Sequence, residues 1–550
     1  MQGVLGIATD ATVFEAVSPD HGVVFTRPWV VTLILDLVGY RPEEDLASKV
    51  AVEPSFGHGA FVVEMVRRLV ESRERFGRSW EDLESAIVAV ELDPLSVART
   101  RESLIALLGE AGAPGRVAEE LVTAWVRVGD FLLDHDLFAL EADWVIGNPP
   151  YVRPESIGES RLRTYRQLYA TMVGRADLYV AFFERGLSLL KPEGQLGFIC
   201  ADRWTLNAYG RGLRNLITSR YAVDALIDMH HADAFDDEVL AYPAVVTIRS
   251  GTSRGTAVAA ITGRLTVDQA SALARTARKT QVGAAVPGVR KIGRWFTGDD
   301  PWPSGSPERI ALLRDLENRF PVLAEAGVSV GIGIATGNDR VFITQDTDAV
   351  EPDRLLPLIL GRDTQSGSPQ WSGNYLVNPW NGNGLVDLER HPRLRAYFHE
   401  HAPALLGRHV AKRAPAAWYR TIDRVIEGLT ERPKLLIPDI KGTLHPVLEP
   451  GGLYPHHNLY FMTSEDWPIE ALGGLLLSDV AEYFVSSYAV RMAGGFLRFQ
   501  AQYLRRIRIP PASTVSDRMM ESLAMAFAGR DKQAASQLAY DLYKIDGLPE

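Results

Sequence analysis

The sequence predicts an α/β protein whose first half is a parallel sheet with helices on both faces. Three observations carry this. Short runs rich in Val, Ile and Ala alternate with longer segments whose apolar residues recur at helical spacing. The first four short runs end in polar residues, at Glu53, Glu91, Asp130 and Asn148. The chain has 550 residues, enough for two or three domains, each with its own core.

The elements follow in order. "KVAVEPSFGHGAF" reads as a strand, a glycine loop and a helix start, and "AFVVEMVRRLVESRERFG" as that helix. "SAIVAVELDP" is a second strand, and "PLSVARTRESLIALLGEAG" its helix. "AWVRVGDFLL" and "ADWVIGNPPY" are the third and fourth strands. "VAFFERGLSLLKPEGQLGFICAD" is a helix, a turn and a strand, and "YAVDALIDMH" and "AYPAVVTIRS" supply the last strands. Residues 251–305, with "SGTSRGTAV" and "GDDPWPSGSP", read as loop-rich and linker-like. Beyond them "GVSVGIGIATGNDRVFI" alternates Gly with β-branched residues, "RPKLLIPDI" and "LYFMT" read as further strands, and the residues after 514 as a closing helical segment.

Composition narrows the class. The single cysteine, Cys200, excludes a disulfide framework and a cysteine-built metal site. Its place in a strand makes it a core residue rather than a cytosine-attacking nucleophile. The pair His230-His231 reads as surface loop, since no third ligand stands at zinc spacing; no metal is expected. No apolar run approaches the ~20 residues of a membrane span, and no signal peptide opens the chain. A cytoplasmic protein is expected. A net charge of −11 argues against a protein that coats nucleic acid, but leaves room for a local basic cleft.

In parallel sheets, ligands bind beyond the carboxyl ends of the strands, so four polar residues at four strand ends point to one cleft. "EPSFGHGAF" lacks the Gly-Lys-Ser/Thr of a phosphate loop and the spaced glycines of a dinucleotide fingerprint. A carboxylate before the loop suits a cationic group such as an ammonium. Glu91 is placed to accept from ribose hydroxyls. A ligand with an amino-acid end and a nucleoside end but no phosphate fits both, and S-adenosylmethionine is that ligand.

The order "EPSFGHGAF", "VAVELDP", "VGDFL", "NPPY" resembles the gamma-class DNA adenine-N6 methyltransferases, over roughly residues 20 to 250, with "NPPY" the most specific element. The resemblance implies a Rossmann-like S-adenosylmethionine-dependent methyltransferase domain over 1–265 and a connecting region over 266–320. It further implies a mixed α+β target-recognition domain over 321–512 and a helical segment over 513–550. It also implies residue roles. Glu53, Pro54 and the loop from Gly57 to Gly59 would hold the methionine moiety, and Glu91 the ribose. Asp130 would accept from the cofactor's adenine amino group, and Phe131 would pack on that ring. "VVFTRPWVVTLILDLV" resembles the first motif, with Thr26 and Pro28 before a helix near the cofactor. "AFDDEVLAYPAVVTI" resembles the late motif whose aromatic, here Phe235, stacks on a flipped base. The long helix after "GHGAF" departs from a minimal fold. Asp177 reads as the N-cap of its helix.

Asn148-Pro149-Pro150-Tyr151 then has a physical reading. An exocyclic amine is a poor nucleophile because its lone pair is conjugated into the ring. The Asn148 side-chain oxygen and the Pro149 carbonyl can each accept one of its N–H groups. This draws the nitrogen toward a tetrahedral shape. The prolines stiffen the loop and remove competing donors. Tyr151 can stack on the base once it leaves the duplex.

The substrate reading rests on the second half. "AVRMAGGFLRFQAQYLRRIRIPPA" has five arginines and no acidic residue, with Phe496, Phe499 and Tyr503 interleaved. Arg491, Arg498, Arg505 and Arg506 are the candidate phosphate contacts. Residues 401–441, with eight Lys/Arg against four Asp/Glu, suit the same role. The expected substrate is double-stranded DNA and the expected state a monomer, with a separate restriction or defence subunit as a partner. No nuclease signature is visible. The alternatives are an RNA or protein-glutamine N-methyltransferase, and a catalytically silent DNA-binding subunit.

Overall fold

The computed structural model describes residues 26–236, 242–293, 297–303, 305–489 and 497–549. The chain divides into two compact units, Met1–Glu308 and Arg309–Glu550.

The first unit is built on one ten-stranded sheet. Its strands are β1 (Ala51–Glu53), β2 (Ile87–Glu91), β3 (Val126–Val128), β4 (Ala142–Gly147), β5 (Leu190–Ala201), β6 (Ala222–Ala232), β7 (Pro243–Arg249), β8 (Thr256–Gly263), β9 (Ala285–Val286) and β10 (Val289–Ile292). Their order is β3-β2-β1-β4-β5-β7-β6-β8-β10-β9. The run from β3 to β5 is parallel. The expectation of a wholly parallel sheet is corrected at β7, which inserts antiparallel between β5 and β6. All seven residues of β7 are buried, as a central strand requires.

The helices are α1 (Pro28–Val38), α2 (Ala60–Phe76), α3 (Pro94–Glu110), α4 (Gly115–Trp125), α5 (Glu159–Leu168), α6 (Tyr179–Ser188), α7 (Arg203–Leu206), α8 (Arg211–Arg220) and α9 (Val267–Lys279). α1 starts with proline at its first position and ends at Gly39, at φ +79°. It is buried from Trp29 to Val38, too apolar to show an amphipathic stripe. It lies so close to β5 that a Cβ on Gly197 would fall 2.6 Å from Val38 Cγ1. The linker-like reading of 251–305 is also corrected. β8 pairs with β6, β10 with β8, and α9 carries a full capping box at Thr266 and Gln269. β8 is buried continuously at its first four residues and again at Ile261, a short apolar run that the flanking Gly and Ser mask in the sequence.

The second unit holds two four-stranded sheets. One is antiparallel, in the order Val328–Ile332, Leu459–Ser464, Lys434–Pro438 and Val447–Glu449. The other runs Ile343–Thr344, Tyr375–Val377, Leu355–Ile359 and Tyr454–Pro455. Helices Ile469–Leu477, Asp479–Tyr488, Asp517–Ala528 and Lys532–Tyr543 complete it.

Candidate active site

The polar strand ends of the first unit converge as their spacing suggests. Glu53 closes β1, Glu91 closes β2 and Asn148 follows β4 directly. β1 pairs with both β2 and β4, so these three residues stand on adjacent strands at one edge.

Glu53 is 1% exposed, and its Oε2 has no hydrogen-bond partner. Burial, and then the neighbouring Glu91, push its carboxyl well above the ordinary value. A buried orphan carboxylate oxygen is costly unless a ligand completes it, and an ammonium does so. The loop beside it is shaped by glycine. Gly59 caps α2 at φ +86°, where a Cβ would lie 3.1 Å from the Thr100 methyl. Glu91 Oε2 accepts the Gly57 N–H at 2.8 Å, and Oε1 accepts those of Leu92 and Asp93 at 2.8 and 3.0 Å. Glu91 therefore fastens the glycine loop to β2. Asp130 Oδ1 accepts from the Leu132 N–H at 3.0 Å, and Oδ2 from the Tyr165 hydroxyl at 2.6 Å. Burial and Asp130 push the Tyr165 phenol up, so it remains a donor. The open Glu53 oxygen suits the ammonium end of S-adenosylmethionine, whereas the oxygens of Glu91 and Asp130 already accept from the chain's own N–H and O–H groups.

Phe131 directly follows Asp130. It is 2% exposed and stacks on Phe182, with centroids 5.5 Å apart, so the core already covers it.

Around Asn148 the structure joins three residues that are distant in sequence. Asn148 Nδ2 donates to Thr26 Oγ1 at 3.2 Å. Thr26 forms an isolated antiparallel bridge with Phe235. Arg27 locks this junction, with its N–H on Ala234 O at 3.0 Å and its guanidinium on Asp233 and Asp236 at 3.0 and 2.7 Å. Thr26, read as a cofactor contact, thus orients the asparagine amide. Phe235 is 7% exposed and packs in the main core cluster, at the rim of the same edge. Pro54 packs beside Gly147, the residue before Asn148, and the Ser55 hydroxyl donates to Asn148 O at 3.4 Å. The Tyr151 hydroxyl donates to Ile199 O at 3.5 Å, and its ring meets Tyr179 edge-on at 6.3 Å. Burial pushes its phenol up.

Two further readings are corrected, and that of Cys200 as a core residue of its strand holds. Asp177 does not cap α6: the N-cap is Leu178, with no side-chain cap. Instead burial raises the Asp177 carboxyl, which also takes a hydrogen bond from Tyr209. His230 and His231 lie in β6, not a surface loop, and His230 Nε2 sits 2.7 Å from Asp202 Oδ2. Cys200 is buried in β5, where burial pushes its thiol up. Tyr165, Tyr209 and Arg27 carried no sequence signal, because each acts through a partner remote along the chain.

In the second unit the arginines divide. Arg498 ion-pairs with Asp439, and Arg506 lies 4.4 Å over the Tyr488 ring. Arg505 is exposed, with one N–H on Val330 O at 2.8 Å. Arg491 and Phe496 lie outside the described residues. Within 401–441, Lys434 is fully buried against Glu449, and Arg408 donates to the carbonyls of Thr336, Trp418 and Arg420. These are internal struts rather than phosphate contacts.

The sheet, parallel from β3 to β5 with β7 inserted antiparallel, is an α/β fold with Glu53, Glu91 and Asn148 at one edge. An Eco57I restriction-modification methylase family model matches residues 86–235. The chain is 45% identical to type II methyltransferase M.PaeR7I of Pseudomonas aeruginosa over 547 residues, covering 98% of this chain and 94% of that one. It is 42% identical to type II methyltransferase M.XhoI of Xanthomonas vasicola, over 96% of this chain and 98% of that one. The structure of the type IIL restriction-modification enzyme MmeI in complex with DNA shares the fold, with a TM-score of 0.52 at 11% identity over 94% of this chain and 74% of that one. The chain belongs to the type II methyltransferases of restriction-modification systems. No helix among the described residues is long and apolar enough to cross a membrane.

Proposed function

We propose that the protein methylates the exocyclic N6 amine of adenine at a specific site in duplex DNA. The observation that supports this most is the Asn148 amide, fixed by Thr26 at the end of β4 and bridged through Thr26 to Phe235. With Nδ2 donating to the Thr26 hydroxyl, the amide is turned so that its oxygen would accept one amine N–H, and the Pro149 carbonyl would accept the other. Hydrogen bonds to both N–H groups draw the nitrogen toward a tetrahedral shape and take its lone pair out of conjugation with the ring; as the N–C bond forms the S–C bond breaks, and the nitrogen gives up one proton. S-adenosylmethionine supplies the electrophilic methyl, and Glu53, Glu91, Asp130 and the Gly57–Gly59 loop would hold it. Tyr151 and Phe235 are this reading's candidates to stack on a base extruded from the duplex. The second unit is the reading's candidate for target recognition, with Arg505 among its phosphate contacts.

The test incubates purified protein with labelled methyl donor and DNA carrying many sequence contexts, then digests to nucleosides. Label in N6-methyladenine is expected. Label in N4-methylcytosine would transfer the same amine chemistry to another base. Label only on RNA or protein would replace this reading with the alternative one.

A further inference from the structure

The second unit holds a cluster of two histidines and a carboxylate. Asp339 opens the helical turn Asp339–Phe342, and His456 and His457 follow the strand Tyr454–Pro455. His456 Nε2 lies 3.0 Å from His457 Nδ1 and 3.2 Å from Asp339 Oδ2. The three ligand atoms all fall within 4.8 Å of one another. The histidine backbones are fixed, with His456 N–H donating to Ile359 O at 3.0 Å and His457 N–H to Ile334 O at 3.1 Å.

Hydrogen bonding sets the tautomer of the buried ring. Asn458 Oδ1 accepts the Gly361 N–H at 3.2 Å, so it is the acceptor end of that amide. His456 Nδ1, 3.2 Å from the same oxygen, is therefore the donor. A neutral His456 then presents a lone pair at Nε2, facing a carboxylate that can only accept. Two acceptors at this separation repel unless a proton or a cation lies between them. A proton would bridge two of the three atoms, whereas a metal ion serves all three. Ligands at about 2.0 Å around a tetrahedral ion stand roughly 3.3 Å apart, close to the two edges at 3.0 and 3.2 Å that meet at His456 Nε2. Two of the three ligands also have outer partners: Asn458 on His456, and the Thr336 hydroxyl on Asp339 Oδ1. A cavity of about 430 Å³, lined by Asp339, His456, Asn374 and Asn458, leaves room for a further ligand.

We propose that Asp339, His456 and His457 bind one divalent transition-metal ion, with zinc the best fit, and leave one position open to this cavity. Two imidazoles and a carboxylate suit such an ion better than magnesium or calcium. The ion would tie the Asp339 turn to the end of the Tyr454–Pro455 strand.

The full-length protein, freed of any affinity tag and stripped with chelator, is titrated with zinc by calorimetry and followed by thermal melting. One saturable equivalent and a raised Tm are expected. Asp339→Asn and His457→Ala, both at exposed positions and so compatible with folding, should each weaken binding by about tenfold or more. No saturable equivalent, or binding unchanged in both variants, overturns the proposal. The first outcome leaves a histidine–carboxylate hydrogen bond; the second places the ion elsewhere.

Discussion

Asn148 can accept an amine proton only with its amide turned one way, and the Thr26 hydroxyl sets that orientation. Asn148→Ala should abolish methyl transfer while cofactor affinity is kept, read by single-turnover transfer beside equilibrium binding. Thr26→Val removes the hydroxyl at constant shape. It should lower kcat by about 10²-fold with little change in cofactor affinity, since loss of positioning alone costs that much. Glu53 gives a pH prediction. Its folded-state carboxyl sits above the ordinary 4.5, so the folded protein binds the extra proton, and stability falls as pH rises from 4.5 through the raised value. Glu53→Gln should therefore raise the Tm of the cofactor-free protein at neutral pH more than at pH near 4.5, while weakening S-adenosylmethionine binding. An unchanged Tm difference across that range would remove the buried-charge argument. At this scale the positions were legible: Glu53 and Glu91 close their strands, Asn148 follows β4 directly and Asp130 lies just past β3, because a period change from strand to helix marks each boundary. The role of Tyr165 was not, because one hydroxyl across a tertiary contact leaves no pattern.

Strands and helices show where sequence reading stops. The first five strands were readable as apolar runs between helices. The antiparallel setting of β7 was not, because a central buried strand looks the same in either direction. β8 to β10 were hidden by Gly and Ser in their turns, although α9 announces itself by its capping box. Charge runs misled most. Lys434 and Glu449 face each other across paired strands with 0% and 1% side-chain exposure. Lys434→Met should destabilise the second unit by about 3–5 kcal/mol, since it strands a buried carboxylate. Denaturant unfolding measures this, and a loss confined to DNA affinity would restore the phosphate-contact role.

Over the whole molecule, a net charge of −11 opposes DNA at long range, so binding must rest on a few local cations. Arg505→Ala should weaken DNA binding and reduce the slope of log affinity against log salt by about 1. Arg498→Ala should instead lower stability, because its guanidinium already pairs with Asp439. Equal salt slopes in both variants would contradict that division. The central claim is site-specific methylation of adenine N6 by the Asn148 edge. Its most direct test is single-molecule sequencing of genomic DNA from a host expressing the protein, beside a host expressing Asn148→Ala. The account expects N6-methyladenine at one recurring sequence in the first and none in the second. Unmodified adenine in both, or equal modification in both, would contradict it.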